Sequence, residues 1–218
     1  MLMNLENIYP HVKGVLHIGA HHGQEVRQYI NSGIKNIALF EPVPEHVEKI
    51  TEDFRDDDIT LYQVALGSEE KTMQMNVSDF EGQNAELYKG MSTSLLKPSI
   101  HLEQYPHIKF NESIEVEVTT LDILAEEDEI VPEDFNFMNI DVQGYELEVM
   151  KGASKFLPHI QFIYSEVNRA EVYEGCPMVE EIDQFLSEYN FERVDTNWAG
   201  DTWGDALYIK RKNTKKEN

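Results

Sequence analysis

The sequence contains one cysteine and few basic residues: 18 lysines and arginines stand against 41 aspartates and glutamates, for a net charge of −23. A single cysteine excludes a disulfide framework and makes an intracellular, cytoplasmic location the default expectation. The negative charge argues against nucleic acid or an anionic membrane as the partner, because like charges repel each other. A well-solvated surface is the simplest explanation of this charge.

Long apolar runs are also missing. No stretch approaches the roughly 20 residues needed to cross a bilayer, and the first ten residues, MLMNLENIYP, lack the basic start and apolar centre of a signal peptide. The apolar fraction of 41% is nevertheless too high for a disordered chain. The length suits one α/β domain, which we assign to residues 1–210. Residues 211–218 are polar, and we expect them to form a disordered tail.

Strand and helix patterns alternate along most of the chain, which indicates a mostly parallel sheet flanked by helices. The predicted strands are 15–18, 37–40, 59–66, 114–118, 135–140, 162–165, 191–194 and 206–210. The predicted helices are 24–30, a helix that opens at residue 44 and includes residue 54, 146–151 and 179–189. Between them, residues 82–98 form a polar stretch that is long for a connection, and loops of this length are usually functional or disordered.

The first predicted strand ends in the turn Gly19-Ala20-His21-His22-Gly23, which leads into a helix. In open α/β sheets, ligands bind outside the carboxyl ends of the strands. Gly19 permits a tight turn, Gly23 permits close packing of helix and strand, and the small Ala20 leaves room for a ligand beside backbone N–H groups. The turn lacks the middle glycine of the G-x-G-x-x-G pattern, which makes NAD or FAD less favoured.

An acidic residue, Glu41, ends the second predicted strand, 22 positions after Gly19. A carboxylate at this place can accept two hydrogen bonds from the hydroxyls of a ribose. Pro42 stiffens the turn around it, and Ala65 and Leu66 at the end of the third strand are small and apolar enough to lie against an adenine ring. The alternative role for Glu41 is an acid that favours the following helix dipole.

Two further acids end predicted strands: Asp141 follows the fourth of the parallel series and Glu166 the fifth. A carboxylate there could orient a substrate hydroxyl or remove its proton, a role also open to His21 and His22. The alternative for Asp141 is a helix cap. Asp141, Glu166 and Asn168 together could also hold Mg²⁺ or Mn²⁺, although two substrate-binding acids without metal are favoured.

Three segments, VLHIGAHHGQE, FEPVPEH and FMNIDVQGYELEVMKGA, occur in this order between residues 15 and 153. They resemble the motifs of the FkbM family of S-adenosylmethionine-dependent methyltransferases, and the third is the most specific. The resemblance implies a Rossmann-like class I methyltransferase fold, with a seven-stranded, mostly parallel sheet, an antiparallel last strand and helices on both faces. It also implies O-methylation of a hydroxyl on a sugar, a glycan or a related small molecule.

The resemblance assigns Gly19, Ala20 and Gly23 to the cofactor turn, Glu41 to the ribose and Asp141 to the active site. One position departs from the family pattern. Many members carry an acid two residues before the first glycine, where this sequence has His17. His17 could contact the methionine ammonium only as a neutral acceptor, and a core histidine bonded to backbone is the alternative.

The segment 89–97 is the predicted substrate lid, because family members often carry serines before a leucine in this region. Ser92, Thr93 and Ser94 could hydrogen-bond the hydroxyls of a sugar. Two other functions stay open: a nicotinamide-dependent oxidoreductase, and a non-catalytic member that binds a cofactor or a partner. Methylation of a nucleic-acid base is disfavoured, because the sequence has no Asn-Pro-Pro-Tyr-type segment and its charge opposes phosphate binding.

Overall fold

The structure is a computed structural model that describes residues 5–80, 85–127 and 129–211. Its strands are β1 (Gly14–Ile18), β2 (Asn36–Phe40), β3 (Thr60–Tyr62), β4 (Ala65–Leu66), β5 (Lys71–Phe80), β6 (Ile108–Thr119), β7 (Phe137–Ile140), β8 (Phe162–Asn168), β9 (Phe191–Ala199) and β10 (Trp203–Lys210). Its α-helices are α1 (Val26–Asn31), α2 (Pro44–Asp53), α3 (Ala85–Tyr88), α4 (His101–Gln104), α5 (Leu121–Glu126), α6 (Glu146–Lys151) and α7 (Val179–Glu188). Short 3₁₀ helices cover Leu5–Asn7, Tyr9–His11 and Pro132–Asp134.

Seven strands form the main sheet in the order β3-β2-β1-β7-β8-β10-β9. Neighbours from β3 to β8 pair in parallel, whereas β10 pairs antiparallel with both β8 and β9. This topology confirms the predicted fold class, including the antiparallel last strand. The order reverses between β1 and β7, and ligands of open α/β sheets bind in the crevice at such a reversal.

Helices pack on both faces of this sheet because buried side chains of its central strands alternate. On β1, Leu16 and Ile18 belong to a core cluster that includes residues of α5, α6 and α7. Val15, which precedes Leu16, belongs to a second cluster with residues of α1 and α2. The alternation is the period-2 pattern expected for a strand buried on both sides.

The predicted third strand over 59–66 is wrong as a single element. The chain forms β3 at the edge of the main sheet, then leaves it, and β4 joins a separate three-stranded sheet of order β4-β6-β5. Ala65 pairs in parallel with Val118 of β6 there. Apolar residues resume at Val64 after the single polar residue Gln63, so the pattern does not show that the pairing partner changes. The predicted half-exposed strand around 114–118 is confirmed within the longer β6, whereas its antiparallel partner β5 was not predicted.

Several predicted elements have other bounds in the structure. β8 continues to Asn168 because β10 pairs along its whole length, with Asn168 opposite Trp203. Glu166 therefore lies inside a strand, and the prediction that it follows one is wrong. The predicted tail lies outside the described residues from residue 212 onward. Within the described ranges, no helix combines the length and apolarity needed to cross a bilayer.

Candidate active site

A cavity of about 490 Å³ opens at the carboxyl ends of β1, β2 and β7. Most of the residues predicted from the sequence to take part in binding or catalysis line this cavity. These are His17, Gly19, Ala20, His21, Glu41, Pro42, Ala65, Leu66, Thr93, Asp141 and Glu166. Gly23, Ser92, Ser94 and Asn168 are not among the lining residues. The structure thus brings the separate strand-end signals together in one cavity.

The glycine turn fits tightly against the end of β7. Gly19 has a φ of 83°, and a Cβ added there would overlap the backbone carbonyl oxygen of Asp141. Only glycine satisfies both conditions, so the turn approaches the neighbouring strand end without a side chain between them. Gly23 lies outside the cavity, where an added Cβ would press on the Phe54 ring at the end of α2.

Glu41 is buried at the end of β2 and organises the turn beside it. Its Oε2 accepts a hydrogen bond from the backbone N–H of His21 over 2.8 Å. Its Oε1 accepts one from the backbone N–H of Val43 over 2.9 Å and lies 3.3 Å from Nδ1 of His46. A carboxylate has about four acceptor positions, so these contacts still leave Glu41 able to accept from a ligand.

His17 is buried in β1, and desolvation lowers its pKa to about 4. Its Nδ1 lies 3.4 Å from the hydroxyl of Tyr29, which accepts a bond from Nδ2 of Asn139 over 2.8 Å. Because Asn139 donates to Tyr29, the hydroxyl hydrogen of Tyr29 is available for Nδ1 of His17. With the Tyr29 hydroxyl as the donor to Nδ1, the neutral imidazole carries its proton on Nε2 and can donate to a ligand. In the other tautomer, Nε2 is the acceptor expected from the sequence.

A glutamine bridges the two candidate catalytic acids. Nε2 of Gln143 donates to Oδ1 of Asp141 over 2.6 Å and to Oε2 of Glu166 over 2.8 Å. Gln143 has a φ of 55°, a left-handed conformation uncommon outside glycine, which turns its side chain toward the cavity wall. The two carboxyl groups are thus held as a pair by one amide.

Burial raises the pKa of each acid around this pair. Desolvation is the main cause in all cases: it raises the pKa of Asp141 to about 6 and that of Asp205 to about 6, and it holds that of Glu166 well above its usual range. Solvent reaches Asp141 from the cavity, while Glu166 is almost completely buried. Asp205 lies directly opposite Glu166 in the antiparallel pairing of β10 and β8. Each of these acids therefore releases its proton at a higher pH than it would in water.

Glu146 holds the turn that carries Asp141 and Gln143. Its Oε1 accepts from the backbone N–H groups of Val142 over 3.2 Å and Gly144 over 2.9 Å. The side chain is completely buried, and desolvation raises its pKa to about 7. Glu146 therefore fixes the shape of this turn.

The predicted lid forms an ordered wall. Oγ of Ser94 donates to the backbone carbonyl of Gln143 over 2.7 Å and accepts from the backbone N–H of Leu96 over 3.0 Å. The backbone carbonyl of Ser92 lies 3.1 Å from the hydroxyl of Tyr173. Thr93 is the member of this group that lines the cavity. Asn168 is fully buried outside it, so the cavity holds Asp141 and Glu166 without the third oxygen ligand suggested for Mg²⁺ or Mn²⁺.

A family model, the methyltransferase FkbM domain, matches residues 17–193, a range that includes Gly19, Glu41 and Asp141. The chain belongs to the FkbM methyltransferase family. The family assignment agrees with the resemblance seen in the three sequence motifs.

A curated member of known name is also similar. The 2-O-methyltransferase NoeI of Sinorhizobium fredii (strain NBRC 101917 / NGR234) is 29% identical over 163 residues, which cover 74% of this chain and 65% of that protein. The chain thus matches slightly less than two thirds of the length of its relative.

A solved structure supports the fold at low identity. The methyltransferase domain of bacterial CtHen1-C superposes with a TM-score of 0.50 at 8% identity, covering 95% of this chain and 93% of that one. The N-methyltransferase NodS from Bradyrhizobium japonicum gives a TM-score of 0.48 at 10% identity, covering 92% and 87%. Both are methyltransferases, but likeness at this identity concerns the fold alone.

The polar residues of this FkbM-family cavity that were not predicted from the sequence include Glu25, Gln143 and Asp205. Gln143 lies in the most specific motif, but a glutamine in a turn has no charge or periodicity to mark it. Asp205 sits in the last strand, whose antiparallel return places it beside Glu166. Pairing the last strand against β8 in register would have placed Asp205 opposite Glu166. Glu25 lies two residues after the glycine turn, and only its place in the cavity lining distinguishes it.

Proposed function

We propose that this protein transfers a methyl group from S-adenosylmethionine to a hydroxyl group of an uncharged sugar or glycan. The observation that carries the proposal is the joint lining of one cavity by Glu41, at the end of β2, and by the bridged acid pair Asp141 and Glu166. Glu41 is suited to accept hydrogen bonds from a ribose. The acid pair is suited to an acceptor hydroxyl that must lose a proton.

The donor set along β1 and β2 fits the proposed cofactor. Glu41 retains acceptor positions for ribose hydroxyls, and Nε2 of His17, when it carries the proton, is a donor suited to a carboxylate. Gly19 lines the cavity without a side chain, so its backbone is directly accessible to a ligand. Ala65 and Leu66 present small apolar surface to the same cavity, as an adenine ring requires. When bound, the cofactor would supply an electrophilic methyl group on a sulfonium centre.

The acid pair supports hydroxyl activation. An alcohol is a poor nucleophile, and a positioned base contributes roughly 10²–10⁴-fold to the rate of such reactions. Asp141 is exposed to the cavity and its pKa is raised to about 6, close to the value at which a base is both ionised and able to accept a proton. Glu166 holds its own proton more tightly, and the Gln143 amide keeps the two carboxyls from approaching freely. In this proposal, Asp141 is the base and Glu166 is a substrate-facing acid.

The charge of the cavity favours a neutral acceptor. Five acids line it, namely Glu25, Glu41, Asp141, Glu166 and Asp205, and none of its lining residues in the described part of the chain is lysine or arginine. A phosphate or carboxylate on the acceptor would face these acids without a compensating cation, which is costly at low solvent exposure. Hydroxyls, by contrast, can donate to every one of them. The name of the relative, a 2-O-methyltransferase, supports a hydroxyl as the methylated group.

The cofactor assignment is tested by calorimetry with S-adenosylmethionine, S-adenosylhomocysteine and NAD. We expect micromolar binding of the first two, and we expect Glu41→Gln to weaken it at least about tenfold because a ribose acceptor is lost. Glu45→Gln is the matched control, since Glu45 is an exposed acid four positions later, in α2, and pairs with Lys89. Binding of NAD alone would favour the oxidoreductase, and binding of none of the three would favour a non-catalytic member.

The acceptor is tested by transfer of an isotope-labelled methyl group to panels of neutral sugars, oligosaccharides and sugar phosphates. We expect label in neutral acceptors and little in their phosphorylated forms. A preference for phosphorylated sugars would contradict the charge argument while leaving the cofactor assignment intact. The same panel with Mg²⁺ or with a chelator determines whether an oxygen-bound metal takes part.

A further inference from the structure

Three histidines form a cluster at one side of the cavity, between the glycine turn and α2. The ring centroids of His21 and His22 lie 3.8 Å apart, those of His21 and His46 4.4 Å, and those of His22 and His46 4.8 Å. One nitrogen of each ring lies within 4.8 Å of one nitrogen of the other two. Packing and metal binding are the two main explanations for three imidazole rings this close together.

Partners outside the cluster already orient two of the rings. Nδ1 of His46 faces the Glu41 carboxylate at 3.3 Å, which leaves Nε2 directed away from that acid. Nε2 of His21 lies 2.7 Å from the backbone carbonyl of Lys89, and its Nδ1 lies 2.8 Å from the amide of Gln24. Histidines that bind metals characteristically donate their other N–H to a carboxylate or a backbone carbonyl. Coordination by His21 would replace one of its two present bonds.

We propose that His21, His22 and His46 form a binding site for a divalent transition metal of the zinc class. Imidazole nitrogens suit Zn²⁺ and its neighbours, whereas Mg²⁺ and Ca²⁺ prefer oxygen ligands. Three histidines with a fourth position open to water or a small ligand are a known zinc arrangement. The strongly negative chain also attracts a cation to this place.

The cluster differs from the oxygen site considered in the sequence analysis. It uses different residues, a different ligand chemistry and a different wall of the cavity from Asp141 and Glu166. Gly90 closes it on one side, because a Cβ at that position would overlap the His46 ring. His21 and His46 line the cavity and His22 does not. A metal held there would therefore sit next to the Glu41 region, and its presence does not depend on methyl transfer.

The test is titration of the untagged chain with Zn²⁺ by calorimetry, with Co²⁺ absorption as an independent reporter of the ligand field. We expect one ion per chain. Loss of a residue that only hydrogen-bonds a metal ligand weakens metal binding by about 10–100-fold, so we expect His22→Gln and His46→Gln each to weaken Zn²⁺ binding by at least that much. His159→Gln is the control, because His159 pairs with Glu133 and belongs to no such cluster. It should leave the affinity unchanged.

Absence of saturable Zn²⁺ binding, or an affinity unchanged in His22→Gln, would overturn the proposal. Each variant is first compared with the wild type by circular dichroism and thermal unfolding. His46 is buried, so its variant can lose stability, but His22 is partly exposed and its variant decides the question alone. The measurement needs neither cofactor nor acceptor. Failure of the methyltransferase proposal would leave it unaffected, and the reverse also holds.

Discussion

The hydroxyl of Tyr173 lies 2.8 Å from Oε1 of Gln143, and this contact decides which way the Gln143 amide faces. With Oε1 bound to Tyr173, Nε2 is directed at Asp141 and Glu166, which accept its two hydrogens. Tyr173 is completely buried, so the amide is held from behind by a side chain that has no freedom to leave. The position of both candidate catalytic acids depends on this buried contact.

Gln143→Asn should therefore shift the pH profile of methyl transfer. Asparagine tolerates the left-handed backbone at this position, but its side chain is one methylene too short to reach both acids. The Gln143 amide lowers the pKa of Asp141 and of Glu166, so its loss raises both. Because the ionised base is the active form, the rise of the rate with pH should move to higher pH. Gln161→Asn, at an exposed glutamine, is the control. An unchanged profile would show that the amide does not govern the acids.

Asp141→Asn should leave S-adenosylmethionine binding within a few-fold of the wild type and lower the transfer rate by roughly 10²–10⁴-fold, the usual contribution of a positioned base. The asparagine keeps the shape of the side chain and removes its ability to accept a proton. Calorimetry measures the first quantity and label transfer the second. If S-adenosylmethionine affinity and the transfer rate fall together, Asp141 acts through the cofactor. If neither the affinity nor the rate changes, another residue is the base.

Glu146→Gln should stabilise the folded chain at alkaline pH. Burial raises the pKa of Glu146 from 4.5 to about 7, so the folded state binds this proton more tightly than the unfolded state. The stability contributed by Glu146 is therefore fully present below about pH 4.5 and is lost as the pH rises through about 7. Glutamine keeps the acceptor for Val142 and Gly144 and carries no charge. The unfolding temperature of the variant should exceed that of the wild type at pH 8, and the difference should disappear near pH 4.5.

Glu148→Gln is the control for that experiment, since Glu148 is a partly exposed acid on the same helix, bonded to Lys151 and Ser68. These bonds lower its pKa, so its substitution should show the opposite sign at neutral pH. A Glu146 variant less stable than the wild type at pH 8 would mean that the ionised carboxylate is the form that holds the turn.

Gly19→Ala and Gly33→Ala form a matched pair. The two glycines have similar φ values of 83° and 80°, so alanine carries the same left-handed penalty of roughly 1–2 kcal/mol at each. At Gly33 nothing lies within 4 Å of an added Cβ, whereas at Gly19 it overlaps the Asp141 carbonyl. Denaturant unfolding should show the larger loss for Gly19→Ala, and calorimetry should show lost cofactor binding for that variant alone. Equal losses would mean that the turn can move away from β7.

The sequence predicted the main sheet well because its strands are short apolar runs that end at polar or glycine residues. β1, β2, α2 and α6 lie within a residue or two of their predicted positions. In the second sheet, β5 was missed although Met73, Met75 and Val77 alternate with polar residues, and such a pattern does not show which sheet a strand joins. The break between Tyr62 and Ala65 contains Gln63, and one polar residue does not distinguish a change of sheet from an exposed position within a strand.

The nominated site residues converge in one cavity because carboxyl ends of parallel strands share an edge of the sheet. Their partners were not predictable in the same way. Tyr173 reaches Gln143 from 30 positions away, through a segment with no regular pattern. The convergence of His46 with the glycine turn depends on how α2 returns over β1 and β2, which spacing alone does not give. Long-range side-chain contacts of this kind need the folded backbone.

Ser94 connects β5 with the turn that carries Gln143. Its backbone pairs with Asn76 of β5, and its hydroxyl binds the carbonyl of Gln143. A loop transplanted from another family member to change the acceptor would carry this wall with it. The transplant keeps the acid pair aligned only if a hydroxyl stands at the position of Ser94, so acceptor specificity and acid geometry are inherited together.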